Sequence, residues 1–221
     1  MKAIRAVLFD LDGTLLYTLD NISASVNHVL SAHGMPTRAP REMRSFIGHG
    51  VAKLMALAAP SGTDEATVAQ LLSELRVYYA AHGLDYVTPY DGVMDMLERL
   101  KANGIAMAIV SNKPEFSTEE LRQHFFADYI DVALGDSPDR PRKPAPEAAF
   151  LALSRLGVSA EEAVLVGDGD ADAATAKNAG LPCIGVTWGF RDAADLLAAG
   201  ATALADTPAQ VVEMILKGSI D

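Results

Sequence analysis

"IRAVLFDLDGT", residues 4–14, is the stretch that decides the fold of this chain, because an apolar run from Ile4 to Phe9 ends there in two acids and a glycine. Asp10 and Asp12 lie at an i, i+2 spacing where a predicted strand meets a glycine turn. One acid of such a pair can serve as a nucleophile and the other as a proton carrier, while a divalent cation binds both. The stretch therefore predicts an active site at the end of a buried strand.

Five further apolar runs predict strands, and amphipathic helical patterns separate most of them. The runs are Ile105 to Val110, Ile130 to Leu134, Ala163 to Val166, Cys183 to Val186 and Thr202 to Leu204. Continuous apolar runs, rather than alternating ones, are typical of a parallel sheet that is covered on both faces. The predicted fold class is therefore α/β, with a doubly wound, Rossmann-like parallel sheet.

From Leu16 to Tyr90 the alternation stops, and the pattern is helical with no predicted strand. One helical face carries Ile22, Val26 and Val29, and similar faces recur further along this segment. We expect an α/β core of residues 1–15 and 91–221, with residues 16–90 inserted after the first strand as a helical domain. The alternative is one contiguous α+β domain.

Composition narrows the possible partners and the compartment. The chain has 221 residues and a net charge of -11, and its Lys and Arg residues are scattered. A nucleic-acid surface needs a basic stripe, so we expect no nucleic-acid partner. Cys183 is the only cysteine, which fits a reducing, cytoplasmic setting, and no apolar segment is long enough to span a membrane. A monomer and a homodimer both remain open.

Polar side chains follow other predicted strands, where open parallel sheets bind their ligands. Ser111 and Asn112 follow the second strand and could cradle phosphate oxygens at the start of a helix. The alternative for Ser111 is an ordinary helix N-cap. Asp168 and Asp172 follow the fourth strand, one helical turn apart, so both can face the end of that strand, whereas Asp170 should point elsewhere.

Clustered carboxylates need a cation, because two of them about 4 Å apart cost on the order of 4 kcal/mol at an effective dielectric near 20. Oxygen ligands without His or Cys favour Mg2+. Lys143 lies in a proline-stiffened loop before a predicted helix from Glu147 to Leu156, and it could direct its ammonium at these acids. Lys113 and Arg142 are competitors for the same role.

With these clusters in this order, the chain resembles the haloacid dehalogenase-like (HAD) hydrolase superfamily, and within it the phosphatases similar to phosphoglycolate phosphatase. The DxDGT motif of the family matches Asp10 to Thr14, and its strand-end Ser or Thr matches Ser111. Its lysine matches Lys143, and its GDxxxD motif matches residues 167–172. Tyr17-Thr18 and Gly169 depart from the usual pattern of close relatives, which bears on specificity.

The resemblance implies a role for each matched residue. Asp10 would be the nucleophile, Asp12 the acid and base, and Lys143 a catalytic cation. Mg2+ would be held by the Asp10 carboxylate, the Asp12 backbone carbonyl and Asp168, with Asp172 as a supporting residue.

Further residues would bind the substrate, a small phosphorylated metabolite. Thr14, Ser111 and Asn112 would bind its phosphate, and Arg44 and His49 would face it from the helical cap. Hinges of the cap are expected near residues 15–18 and 85–92.

The implied activity is that of a Mg2+-dependent phosphatase that hydrolyses a small, phosphoglycolate-like phosphomonoester through an aspartyl phosphate. A phosphomutase of the same superfamily that acts on a sugar phosphate is the alternative, although such enzymes usually carry Glu-Asp where this chain has Gly167-Asp168. A dehalogenase is disfavoured by Asp12. A receiver-like signalling module and a scaffold that has lost activity are the non-enzymatic alternatives.

Overall fold

The computed structural model describes residues 3–218 and residue 220. The strands are β1 Ala6–Phe9, β2 Leu16–Tyr17, β3 Thr88–Pro89, β4 Ala106–Pro114, β5 Val132–Asp136, β6 Ala163–Gly167, β7 Cys183–Val186 and β8 Ala203–Ala205. The first helices are α1 Leu19–Ala32, α2 Pro40–Phe46, α3 Val51–Ala58 and α4 Glu65–Ala81. The others are α5 Val93–Ala102, α6 Glu115–Phe125, α7 Glu147–Leu156, α8 Asp170–Ala179, α9 Ala193–Ala199 and α10 Pro208–Lys217.

Six strands form one parallel sheet in the order β5-β4-β1-β6-β7-β8. All six predicted strands are present in it, and the α/β fold class is confirmed. The central strand β1 pairs on both sides, with Phe9 beside Ile109 of β4 and Val166 of β6. The carboxyl ends of the central strands therefore lie at one edge of the sheet.

Both faces of β1 are buried, as its uninterrupted apolar run predicts. Val7 and Phe9 belong to a core cluster that includes side chains of α5 and α10. Ala6 and Leu8 alternate with them and belong to a second cluster, formed with side chains of α7 and α8. Packing thus fixes β1 from both sides, and it thereby fixes the position of the residues that follow the strand.

The helices α1 to α4 share a separate apolar cluster, to which Phe190, from the loop between β7 and α9, also contributes. Its fully buried members include Val26, Leu30 and Met43. The assignment of residues 16–90 to a separate domain stays a prediction.

The expectation of no strand between Leu16 and Tyr90 is wrong, because β2 and β3 pair antiparallel where the chain enters and leaves the helices. Two-residue strands are too short to show any hydrophobic period. Within the described residues, no helix combines the length and the hydropathy that crossing a membrane requires.

Candidate active site

The carboxyl ends of β1, β4 and β6 bring the predicted site residues together. Asp10 follows β1 directly, and its backbone N–H donates a hydrogen bond of 2.9 Å to the carbonyl oxygen of Val166 in β6. Ser111 lies in the last part of β4, and Asp168 follows β6 directly. The parallel register therefore places residues that are far apart in sequence at one edge of the sheet.

Three carboxylates meet at this edge. Each of Asp10, Asp168 and Asp172 offers an oxygen within 4.8 Å of the others, and these residues are only 9%, 3% and 2% exposed. At that distance two negative charges repel by about 3 kcal/mol at an effective dielectric near 20. Burial, together with the charge of Asp172, raises the pKa of Asp10 to about 7. Burial and the charge of Asp10 raise the pKa of Asp168 to about 8.

Lys143 is the cation that the structure brings to this cluster. Its ammonium lies 2.8 Å from Asp10 Oδ1 and 2.6 Å from Asp172 Oδ1, and it also donates to the carbonyl oxygen of Val110 at 2.8 Å. Although burial alone lowers the pKa of an amine, the two carboxylates raise the pKa of Lys143 above its usual value. Arg142, a sequence competitor, lies instead 3.4 Å from Asp136 at the surface.

Asp168 is clamped in position by neighbours on every side. Its Oδ1 accepts a hydrogen bond from the Thr14 hydroxyl at 2.9 Å, and its Oδ2 accepts one from the Phe190 N–H at 2.7 Å. A Cβ on Gly13 would lie 2.3 Å from Oδ2, and a Cβ on Gly189 would lie 2.2 Å from the Asp168 Cβ. Only glycine allows this close approach from two directions. Asp168 is therefore more constrained than an exposed acid at a helix start.

Asp172 is oriented from its own helix. Its Oδ2 accepts a hydrogen bond from the Gly169 N–H at 3.0 Å, and its Oδ1 faces Lys143. Asp170 is not part of the cluster, and its carboxylate, about half exposed, lies 3.6 Å from His49 and 3.7 Å from Arg191.

The start of helix α6 differs from the sequence prediction. Ser111 does not begin or cap a helix, since β4 continues to Pro114 and α6 begins at Glu115. A residue that precedes proline is disfavoured in the helical region, which keeps Lys113 extended. Ser111 nevertheless lines the cavity described below.

Asn112 ties three segments together. Its amide nitrogen donates to the carbonyl oxygens of Gly48 and Lys143 at 2.9 and 3.0 Å, and its oxygen accepts from the Lys143 N–H at 2.8 Å. These bonds use much of its capacity to bind phosphate. The geometry therefore favours a part for Asn112 in fixing the Lys143 loop.

Three other predicted substrate-binding residues face elsewhere. The Thr14 side chain is fully buried against Asp168. Arg44 donates to the carbonyl oxygens of Phe190 and Gly189 at 2.7 and 2.9 Å. His49 lies 3.6 Å from the carboxylate of Asp170. None of the three lines the cavity, and their roles in substrate binding stay predictions.

Sequence reasoning missed a second buried cation and its partner. Lys113 Nζ lies 2.9 and 3.2 Å from the two carboxylate oxygens of Asp12 and also contacts the hydroxyl of Tyr79. The charge of Asp12 raises the pKa of Lys113 against the opposing effect of burial. The signal was weak, since Lys113 counted only as a competitor of Lys143. Tyr79 continues the apolar face of Leu71 and Leu75 on α4, so the sequence pattern predicts only a side chain that packs in the core.

A cavity of about 80 Å³ opens between these acids and the helices α1, α3 and α4. Its floor is polar and includes the side chains of Asp10, Asp12, Ser111, Lys143 and Asp168. The opposite wall is mainly apolar and includes Ile22, Val26, Ile47, Val51, Leu54 and Leu75. The reactive groups therefore face a small, partly enclosed space.

The cluster of acids fits a hard divalent cation. Its side-chain ligands are carboxylate oxygens, and their mutual repulsion is the condition that a bound dication relieves. Burial and the neighbouring carboxylates raise the pKa values of Asp10 and Asp168, and a dication bound between them would lower both. The donor set suits Mg2+ better than a metal that prefers sulfur or nitrogen ligands.

Known proteins that are similar to this chain are hydrolases, which agrees with the chemistry of this site. Residues 7–186 match a family model described as haloacid dehalogenase-like hydrolase. A phosphoglycolate phosphatase of Xanthomonas campestris is 36% identical over 192 residues, which cover 86% of both chains. A predicted phosphoglycolate phosphatase from Haemophilus somnus superposes with a TM-score of 0.88 at 25% identity, covering 97% of this chain and 99% of that one.

A third relative was solved with a ligand. CbbY from Rhodobacter sphaeroides, in complex with phosphate, superposes with a TM-score of 0.74 at 26% identity and covers 94% of this chain and 96% of its own. The resemblance that rested on four short motifs is confirmed by these matches along nearly the whole chain. The chain belongs to the haloacid dehalogenase-like hydrolase family.

Proposed function

We propose that this protein is a phosphoric monoester hydrolase, a Mg2+-dependent phosphatase that acts on a small, phosphoglycolate-like phosphomonoester. The observation that carries the proposal is the buried cluster of Asp10, Asp168 and Asp172, with Lys143 paired to the first and the last of these acids. The names of curated relatives and the phosphate bound to the Rhodobacter sphaeroides neighbour support it.

The chemistry begins with Asp10. Its carboxylate attacks phosphorus and forms an aspartyl phosphate, while the bond between phosphorus and the ester oxygen breaks. Asp12 donates a proton to the leaving alkoxide, which departs as the alcohol. Asp12 then takes a proton from the water that attacks the aspartyl phosphate, and this second step releases inorganic phosphate and restores Asp10.

Positive and polar groups around Asp10 stabilise the transferring phosphoryl group. The Lys143 ammonium can bind a phosphate oxygen because it already lies 2.8 Å from Asp10. The Ser111 hydroxyl on the cavity floor adds a hydrogen bond from the next strand. Such preorganised charge is the main contribution of proteins to phosphoryl transfer.

Mg2+ would be held by the Asp10 carboxylate, the Asp12 carbonyl and Asp168, with Asp172 in support. When bound, it would neutralise charge on the phosphate oxygens. The clamp on Asp168 serves this purpose, since it fixes one carboxylate before any ligand arrives.

Residues 16–90 would form a cap that closes over the cavity. The pairing of β2 with β3 holds the two connecting segments together, so both would move as a unit near residues 15–18 and 85–92. Closure would exclude water from the aspartyl phosphate until hydrolysis.

The test is release of inorganic phosphate from a panel of phosphate esters with Mg2+. We expect Asp10→Asn to abolish turnover while the fold is retained, because the nucleophile is lost. Asp195→Asn on the exposed surface of α9 is the matched control and should leave turnover unchanged. Substantial phosphate release by Asp10→Asn would refute the assignment of the nucleophile. Formation of an isomeric sugar phosphate without phosphate release would favour the phosphomutase.

A further inference from the structure

The second buried cation, Lys113, is not needed to hold the acid cluster, yet its side chain is only 2% exposed. It lines the cavity beside Asp12, on the side toward the helices. Tyr79 of α4 meets it there, with its hydroxyl in contact with the ammonium and its ring centre 4.8 Å from Nζ. The three donors of the ammonium face the two carboxylate oxygens of Asp12 and the Tyr79 hydroxyl, so an anionic group of the substrate would take over one of the two Asp12 contacts.

The other two cations of the cavity wall, among the described residues, contact groups other than Asp12. Lys143 is bound by two carboxylates and a backbone carbonyl. Arg191 donates to the carbonyl oxygens of Arg44 and Ile47 at 3.0 and 2.8 Å, and it also faces Asp170 at 3.7 Å. Lys113 is therefore the cation that a negative group on the Asp12 side of the substrate would meet.

Apart from Tyr79 and the backbone of Gly48 and Gly50, the helical wall, as far as the described residues form it, offers no polar side chain to a leaving group. Its side chains are aliphatic, and Ile22, Ile47 and Leu54 are each at most 7% exposed. Hydroxyl groups of a sugar would lose their hydrogen bonds to water there without replacement, which costs about 1–3 kcal/mol each. The volume of about 80 Å³ also suits a short chain of atoms.

Distance sets where the negative group would stand. A leaving oxygen that is hydrogen-bonded to Asp12 lies about 2.7 Å from the carboxylate, and Lys113 Nζ lies 2.9 Å from an oxygen of the same carboxylate. The leaving oxygen is thus within about 6 Å of the ammonium. A carboxylate attached one carbon beyond the ester oxygen can close that gap.

We infer that Lys113 and Tyr79 form the specificity subsite for one anionic group, a carboxylate, on a leaving alcohol of two or three carbons. This inference rests on the proposed phosphatase activity and adds to it the residues that select the substrate. Lys113 supplies the charge, Tyr79 fixes the ammonium from the helical side, and the aliphatic wall rejects larger polar alcohols.

The test compares two esters that differ only in the carboxylate, 2-phosphoglycolate and ethyl phosphate. In the wild type we expect kcat/KM to favour 2-phosphoglycolate by at least tenfold. Lys113→Met removes the charge and should lower that ratio to about one. Any effect of the substitution on Asp12 changes kcat/KM for both esters and therefore cancels in the ratio. Tyr79→Phe should lower the ratio about threefold, and Lys217→Met, an exposed lysine on α10, should leave it unchanged.

The outcomes separate the two proposals. If the wild type releases phosphate neither from these two esters nor from any other member of the panel, the proposed function is refuted. A wild type that hydrolyses both esters with equal kcat/KM, or a ratio that neither variant changes, refutes the subsite alone. If Lys113→Met does not fold, as judged by circular dichroism, Tyr79→Phe decides the question, since it removes only a hydroxyl.

Discussion

Gly13→Ala should damage the site far more than its backbone conformation explains, and Gly62→Ala shows by how much. The two glycines have φ values of +86° and +87°, so alanine at either position carries the same left-handed strain of about 1–2 kcal/mol. A Cβ on Gly62 meets nothing within 4 Å, whereas a Cβ on Gly13 lies 2.3 Å from Asp168 Oδ2. The difference between the variants therefore isolates the contact with Asp168.

The magnitude follows from what holds Asp168. Its carboxylate cannot retreat without losing the hydrogen bonds from Thr14 and from the Phe190 N–H, at 2.9 and 2.7 Å. Each bond to a charged group contributes about 1.5–3 kcal/mol. Retreat is also blocked behind, since Gly189 leaves no room. We expect Gly13→Ala to lose about 3–6 kcal/mol more than Gly62→Ala, summed over the two bonds.

Urea unfolding followed by circular dichroism measures this difference. A pH near 9 keeps Asp168 ionised, above its raised pKa of about 8. Phosphate release with Mg2+ gives a second measurement, and Gly13→Ala should lose at least a hundredfold in kcat/KM while Gly62→Ala keeps wild-type turnover. If the two variants unfold within about 1 kcal/mol of each other, the clamp on Asp168 does not exist as described.

Two further predictions concern charge in the metal-free protein. Lys143→Met should cost about 3–5 kcal/mol in urea unfolding with EDTA, because it leaves two buried carboxylates without their partner; Lys217→Met, in an exposed ion pair, should change stability by less than about 0.5 kcal/mol. The raised pKa values of Asp10 and Asp168, about 7 and 8, mean that the folded chain binds more protons than the unfolded chain between about pH 4 and pH 8, so stability should fall as pH rises through that window. Mg2+ should therefore raise Tm more at pH 8.5 than at pH 5.5 in differential scanning fluorimetry, and an equal shift at both values would contradict this reasoning.

Much of the fold could be read from hydrophobic pattern. Within the run from Ile4 to Phe9, the part from Ala6 to Phe9 is continuously apolar, which is typical of a strand buried on both faces, and it lies at the centre of the sheet. The pairing of β2 with β3 was not predicted, because it joins segments about seventy residues apart and leaves no local hydrophobic period. The start of α6 was misplaced because the strand pairing of β4 extends past Val110.

The candidate site divides in the same way. The acids Asp10, Asp168 and Asp172 follow strands whose parallel order brings their ends together, so pattern alone predicted that they meet. The choice of Lys143 over Arg142 as their cation depended on the loop conformation that Asn112 holds. Spacing could not decide it, since both lysine and arginine reach several ångströms in any direction.

The sequence by itself determined the class of chemistry, because clustered acids at strand ends need a cation. It also determined the position of the first strand, because a continuous apolar run is stable only where both faces of the sheet are covered. Only the tertiary structure decided which side chains surround the leaving group. Lys113 and Tyr79 come from β4 and from α4, and their meeting depends on how the helices pack over the sheet. Local pattern records the face that each residue occupies, whereas contact between two faces arises from long-range packing that no short stretch encodes.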